Sequence, residues 1–505
     1  MITDLLAQRA IDSPDKAFVV TPEGEFSFGR VNAAARRFAS KLASLNVGEG
    51  DKVALIAENS AAFLVAWFGV SYRGAVVVTL NNQLVAEGLR YSIDQCDATV
   101  LVVDHQWIDQ RLHHLDARQL AIPQIAIGSD AQFFAELDTF PQAEPVLVKA
   151  SEPCSILYTS GTTGLPKGVL NCHEAYLACG RATVQALQLS SSDRIMVFLP
   201  LFHVNPQMYA VMSSLVTGAT LILFKRFSAT TFFEDAIRYG ATGCTFVGTV
   251  LSILVARHAQ ERRDHGLRFC FGGGAPRDVW QAVESRYGIK VHEAYGMTEI
   301  GGWSSANSVD DSRFGSCGRV RPDLDIRIVD ADEKEVPPGQ PGEIVVRPLA
   351  PDVILLGYYK KPEQMHASCR NLWFHTGDLG RFDSDGYLFY LGRLKELIRR
   401  SGEMISPVEV ETCLRRMPLV RDCAVVAVAD AIVGDEIKAV LVCDAPMKPS
   451  DVRDFLKPLL PVFMLPRYIE FLSVIPKTET EKIQRNKLQY LNDNVHDLVD
   501  GLKLK

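Results

Sequence analysis

SILYTSGTTGLPKGV, residues 155–169, is a short apolar run that passes without a break into a loop of serine, threonine and glycine closed by Lys167. The run itself reads as a buried strand. The loop has the make-up of a polyanion cradle. Gly161, Gly164 and Gly168 let the backbone approach closely and turn its N–H groups inward, while Thr159, Ser160, Thr162 and Thr163 add hydroxyl donors and Lys167 adds a formal charge. The order GxxxxGK[ST] is absent, so a P-loop NTPase is excluded. A polar surface turn is the plain alternative, but it gives no reason for five hydroxyl-bearing residues at positions 158–163 bracketed by glycine and lysine.

Working outward, the apolar runs KVALIAE (52–58), AVVVTL (75–80), ATVLVVD (98–104) and ATLILF (219–224) alternate with helical patterns. That alternation predicts an α/β architecture with largely parallel sheets. From about residue 315 short strands (DIRIVD, GEIVVR, YLFYLG) between Gly/Pro turns predict a β-rich, barrel-like end. The last hundred residues or so predict a compact α+β module: a helix at PVEVETCLRRM, strands at CAVVAVA and IKAVLVC, and a helix around SDVRDFLKPLL. A chain of 505 residues exceeds what one core usually organises. The expected division is a large N-terminal domain, 1–392, and a small mobile C-terminal domain, 393–505.

With 47% hydrophobic and 22% charged residues the composition is that of an ordinary soluble protein, and a net charge of −7 argues against a broad nucleic-acid-binding surface. The eleven cysteines form no CxxC pair and read as buried thiols of a reducing compartment. The acidic start MITDLLAQRAIDSPDK lacks a secretory pattern, which makes a cytoplasmic location the expectation. AAFLVAWFGVSYRGAVVVTL is interrupted by Tyr72 and Arg73, so it reads as a core helix and a strand with no stable membrane insertion.

Six ordered motifs, spread over nearly the whole chain, resemble those of the adenylate-forming (AMP-binding) superfamily of acyl-CoA synthetases, luciferases and peptide-synthetase adenylation domains. TSGTTGLPKG is similar to its phosphate loop, GGGAP (272–276) and EAYGMTE (293–299) to its adenine and magnesium motifs, and HTGD (375–378) to its ribose motif. GRLKELIRRSGEMISPVEVE (392–411) resembles the inter-domain hinge, and PKTETEKIQRNKL (476–488) the C-terminal lysine motif. PLFH (200–203), WFHTGD and the hinge text are most similar to the crotonobetaine/carnitine-CoA-ligase-like branch.

The resemblance implies ATP, Mg2+ and coenzyme A as cofactors, and a carboxylic acid activated as an acyl adenylate and then passed to a thiol. Glu299 would hold magnesium and Thr298 touch the α-phosphate, since the anionic reactants require cations and fixed orientation. Lys482 would bridge carboxylate and phosphate; Glu481 stands where the family usually has glycine. Besides the phosphate loop, Gly273, Gly274, Ala275, Pro276, Glu293, Ala294, Tyr295, Gly296 and Met297 would bind ATP or AMP. Asp378 would accept from the ribose hydroxyls, with Arg393 as companion.

By the same resemblance the acyl pocket would comprise His203, Val204, Asn205, Gln207, Phe246, Thr249, Gly272, Gly301 and Trp303. Gly301 and Gly302 would leave room, and Trp303 would be placed to stack on a quaternary ammonium. Residues 200–209 hold no acidic side chain, which disfavours a free α-amino acid. Glu396 would be the hinge pivot, where Asp or Lys is frequent. Lys395, Arg399, Arg400 and Gly402 would face coenzyme A, a solvated basic cluster being the alternative. A carrier-protein phosphopantetheine as acceptor, a catalytically silent nucleotide-binding homologue and a homodimer all stay open at this point.

Overall fold

The computed structural model describes residues 1–84, 86–111, 115–159, 166–400, 403–430, 433–477 and 483–498. The chain divides into two compact units. One comprises Met1–Ala275, Val279–Asp325 and Val346–Phe374, the other Pro276–Asp278, Ile326–Val345 and His375–Lys505. The antiparallel stretches 326–345 and 375–392 thus group with the C-terminal module.

The first unit holds two sheets. The larger is ordered Arg319–Val320, Gly302–Ala306, Lys290–Met297, Phe269–Gly273, Gly243–Val247, Arg194–Val197, Thr220–Leu223, Ala17–Thr21 and Gly24–Ser27. Its strands from Lys290–Met297 to Ala17–Thr21 are parallel. The smaller is ordered Gly357–Tyr358, Lys167–Cys172, Pro153–Thr159, Val76–Thr79, Lys52–Ile56, Ala98–Asp104 and Gln124–Ile127, parallel from Pro153–Thr159 onward. Strands buried on both faces read as unbroken apolar runs, which is why the sequence shows VVVT and LVV where half-buried strands would alternate.

Helix Ala61–Tyr72 follows the same logic. It is apolar all round and each of its residues is buried, as a helix surrounded by core must be. The side chain of Ser60 caps it by accepting from the Phe63 amide at 3.0 Å. One core joins Val19, Val197 and Leu221 of the larger sheet, Val53, Val77 and Val102 of the smaller, and this helix. Among the described residues no helix is long and apolar enough to cross a membrane. Eight of the eleven cysteines are buried and none is in a disulfide.

In the second unit Val420–Asp430 pairs antiparallel with Gly434–Cys443, which Tyr468–Phe471 joins in parallel. Helices Pro407–Leu414 and Pro449–Leu456 start on proline, whose missing N–H costs nothing there, and lay Val410, Leu414, Val452 and Leu456 on this sheet's core. Lys438 is a charged residue in the middle of the central strand. It is 1% exposed, 2.7 Å from the buried Glu470 carboxylate, and donates to the Leu488 and Tyr490 carbonyls. A buried charge that loses its partner is costly, so Lys438→Met should lower unfolding free energy in urea by about 3–5 kcal/mol. Lys438→Met combined with Glu470→Leu should recover most of that loss; equal destabilisation by both variants would show that the pair is not the source.

Candidate active site

Four motifs far apart in sequence meet at one edge of the larger sheet. PLFH follows Arg194–Val197, FVGT spans the end of Gly243–Val247, GGGAP overlaps the end of Phe269–Gly273, and YGMTE ends Lys290–Met297. These four strands are consecutive neighbours and all parallel. The carboxyl ends of parallel strands are where open α/β sheets bind ligands.

Glu299 is the focus. It is 6% exposed, and its Oε1 accepts from the Thr159 hydroxyl at 3.1 Å and the Tyr358 phenol at 3.3 Å. Burial and the Glu299 charge raise the Tyr358 phenol above its usual range, which keeps it a donor. The Lys167 ammonium lies 4.7 Å from the centre of the Tyr358 ring. Strand pairing enforces this meeting. Thr159 and Lys167 are partners in an antiparallel pair, and Gly357–Tyr358 adds to the far side of the same strand, with Tyr358 opposite Val169. Both ends of the phosphate loop are therefore held; Ser160, Gly161, Thr162, Thr163 and Gly164 lie outside the described residues. Thr298 is buried and opens the short turn that carries Glu299.

Glu293 takes a different part from the expected nucleotide contact. Its two oxygens accept from the Gly274 amide at 2.5 Å and the Ala275 amide at 3.1 Å, so it shapes the GGGAP turn from beneath. A Cβ on Gly248 would lie 1.7 Å from the Gly274 carbonyl, which explains the glycine in FVGT. Ala294 and Tyr295 are buried, while Gly296 is exposed and Met297 half-exposed, leaving the strand end as the accessible part of this motif. Pro276 groups with the second unit.

Several pocket assignments change. Gln207 is fully buried and engaged: its amide donates to Thr79 Oγ1 and the Leu201 carbonyl, and its Oε1 accepts from Tyr176. Phe246 packs its ring in a core with Met196 and Trp280, offering only its carbonyl. The Trp303 indole N–H donates to Thr183 at 2.8 Å, and its ring already carries the Arg321 guanidinium 5.7 Å from its centre, so it is core and not an open cage for a quaternary ammonium. Gly301 and Gly302 leave no room either. They permit close approach, since a Cβ would sit 2.1 Å from the Val353 carbonyl at Gly301 and 2.6 Å from Cys179 Sγ at Gly302. His203, Val204, Asn205 and Thr249 keep partial exposure, and Gly272 lies in strand register with Phe246.

Within the second unit Asp378 is 4% exposed and lies 3.4 Å from Arg393 Nε, its partner in strand register. Glu343 builds the HTGD turn, accepting from the Gly377 amide at 3.0 Å and contacting His375 Nδ1 at 2.8 Å. Glu396 is 3.1 Å from Arg485, which also donates to Glu411 and the Val425 carbonyl. Arg400 is bound to Glu436 and to the carbonyls of Phe463 and Leu465, a structural role in place of the coenzyme A contact expected for it. Arg399 is exposed. Gly402, Glu481 and Lys482 lie outside the described residues.

Residues 6–359 match the model of the AMP-binding enzyme family, and residues 409–482 that of the AMP-binding enzyme C-terminal domain. The chain belongs to this family. It is 32% identical over 503 residues to a sulfoacetate–CoA ligase of Cupriavidus necator, covering 96% of each chain. It is 28% identical over 484 residues to a crotonobetaine/carnitine–CoA ligase of Salmonella paratyphi C, covering 92% of this chain and 93% of the relative. ATP-bound MatB from Rhodopseudomonas palustris superposes with a TM-score of 0.89 at 27% identity, covering 97% of this chain and 98% of MatB. The likeness to crotonobetaine/carnitine ligases therefore holds alongside ligases of other acids, and the chain is an AMP-forming acid–thiol ligase.

Sequence reading missed four residues of the ligase: Tyr358, Arg321, Glu343 and Arg485. Arg485 stands inside PKTETEKIQRNKL and was in view as text; the others act through partners that only folding supplies. Burial pushes the Glu293 carboxyl of this ligase up to about 8, against the lowering effect of the two amides. A raised acid stabilises the fold below its unfolded value and loses that contribution as pH climbs through the folded one. Melting temperature should fall between about pH 5 and pH 8 through this group, and Glu293→Gln should flatten that slope. An unchanged slope in the variant would show Glu293 titrating normally.

Proposed function

We propose that this ligase condenses a carboxylic acid with ATP to give acyl-AMP and pyrophosphate, then transfers the acyl group to the thiol of coenzyme A. The observation that supports this assignment of roles is the convergence of Thr159 and Tyr358 on Glu299 at the base of the phosphate loop, with Lys167 against the Tyr358 ring. Two hydroxyl donors hold one buried carboxylate in a fixed direction, with the Lys167 ammonium set against the ring of one of them. That arrangement suits Mg2+, which binds through one or two carboxylates plus substrate phosphates; among the described residues no group of three or more ligating side chains would make a protein-only site. When bound, the ion would neutralise phosphate charge as the carboxylate approaches.

The phosphate loop would hold the triphosphate, Thr298 the α-phosphate, and Asp378 with Arg393 the ribose. Gly296 and Met297 present an accessible strand end for the adenine. Lys482 would serve adenylation and withdraw for thioester formation as the domain from residue 393 turns about Glu396, with Arg399 meeting a coenzyme A phosphate. A cytoplasmic location fits such a reaction.

Lys482→Ala should lower acid-dependent pyrophosphate exchange by roughly a hundredfold or more while sparing thioester formation from supplied acyl-AMP. Equal loss of both half-reactions would refute the separate role. For the wild type, pyrophosphate release with ATP, Mg2+ and coenzyme A across short, long, aromatic and trimethylammonium-bearing acids tests the whole reading. Turnover that stalls at the adenylate would transfer the second step to a carrier-protein phosphopantetheine. Absence of exchange in the wild type with gain of exchange in Glu481→Gly would show a silent homologue.

A further inference from the structure

Asn205 begins the helical segment Asn205–Val211 that follows PLFH, and its side chain reaches the end of the neighbouring strand. Its Nδ2 donates to the Phe246 carbonyl at 3.2 Å. That bond fixes which way the amide faces, because the reversed amide would set two carbonyl oxygens against each other. The Oδ1 is left buried, with no hydrogen-bond partner among the described residues. Buried polar atoms are nearly always satisfied, and an exception beside a ligand-binding strand edge points to a partner that arrives with the ligand.

The neighbouring candidates offer that partner no fixed charge. Val204, Thr249 and Gly272 are neutral, and His203, the titratable member of the set, carries no permanent charge. The one buried guanidinium of the adjoining turn, Arg321, faces elsewhere: it donates to the carbonyls of Gly301, Trp303 and Val353 and pairs with Asp323 at 2.6 Å. An acid whose far end is a second anion would bring only acceptors to an acceptor. An acid with an aliphatic far end would leave Oδ1 unsatisfied.

Resting on the ligase reading above, we propose that Asn205 selects the acyl substrate, and that this substrate is a monocarboxylic acid bearing a hydrogen-bond donor, a hydroxyl or an amide or aryl N–H, that meets Asn205 Oδ1.

The test compares size-matched pairs: 3-hydroxybutyrate with 3-methylbutyrate, 4-hydroxybutyrate with pentanoate, and 3- or 4-hydroxybenzoate with the methylbenzoates, alongside oxalate, malonate and sulfoacetate. Pyrophosphate release is read as kcat/KM in the wild type, in Asn205→Leu and in Asn205→Asp, which keeps an acceptor. At least one hydroxy acid should exceed its methyl partner by roughly tenfold to a hundredfold in the wild type, with the dianions lowest. In Asn205→Leu that ratio should fall to about one while the methyl partner still turns over. Preference for a methyl partner or a dianion in the wild type, or an unchanged ratio in Asn205→Leu, overturns the proposal. Should Asn205→Leu not fold, retention of the hydroxyl preference in Asn205→Asp supports it and loss overturns it. If no acid releases pyrophosphate the ligase reading fails by itself; the same pairs are then compared by calorimetry with AMP present, where equal or absent binding overturns the role of Asn205.

Discussion

Everything at the candidate site depends on one constraint: a carboxylate must be held fixed, under cover, where further anions are to gather. Glu299 meets it through hydroxyl donors from two separate stretches of chain, Thr159 and Tyr358, the latter with the Lys167 ammonium against its ring. None of these is near it in sequence. What brings them together is the pairing of Gly357–Tyr358 onto Lys167–Cys172 and of that strand onto Pro153–Thr159. That pairing fixes the two residues, Thr159 and Lys167, between which the glycine-rich segment runs.

The fold was legible where burial makes composition simple. Fully buried strands and the helix Ala61–Tyr72 announce themselves as apolar runs, and proline marks the starts of the two C-terminal helices. The site was legible as text wherever a motif is contiguous. It was not legible where a polar side chain had two roles open to it. Gln207 and Asn205 stand two positions apart, both polar and both after PLFH. One turns into the interior to join Tyr176 and Thr79, and the other stays at the strand edge. Helical geometry sends positions i and i+2 to different faces, but which face meets the core is set by the sheet beneath.

Glycine was misread for a related reason. At Gly301 and Gly302 the absent side chain looks like space for a substrate, whereas carbonyl and sulfur atoms already fill it. Arg321 completes the picture from the other side, holding the carbonyls of that same turn from within the core. A buried arginine whose donors meet three backbone carbonyls and one carboxylate acts as scaffold despite its charge, because fixed acceptors replace the water it gave up.

The ion pair of Glu396 with Arg485 has a consequence for how such chains diverge. The position at which the family commonly carries Asp or Lys is here tied to an arginine in the lysine motif, itself fastened to Glu411. Lysine at 396 would face that arginine as a like charge, and aspartate would fall short by a methylene. The two positions are therefore expected to drift together across homologues, and a chimera that joins one parent's hinge to another parent's C-terminal tail inherits half of a matched pair.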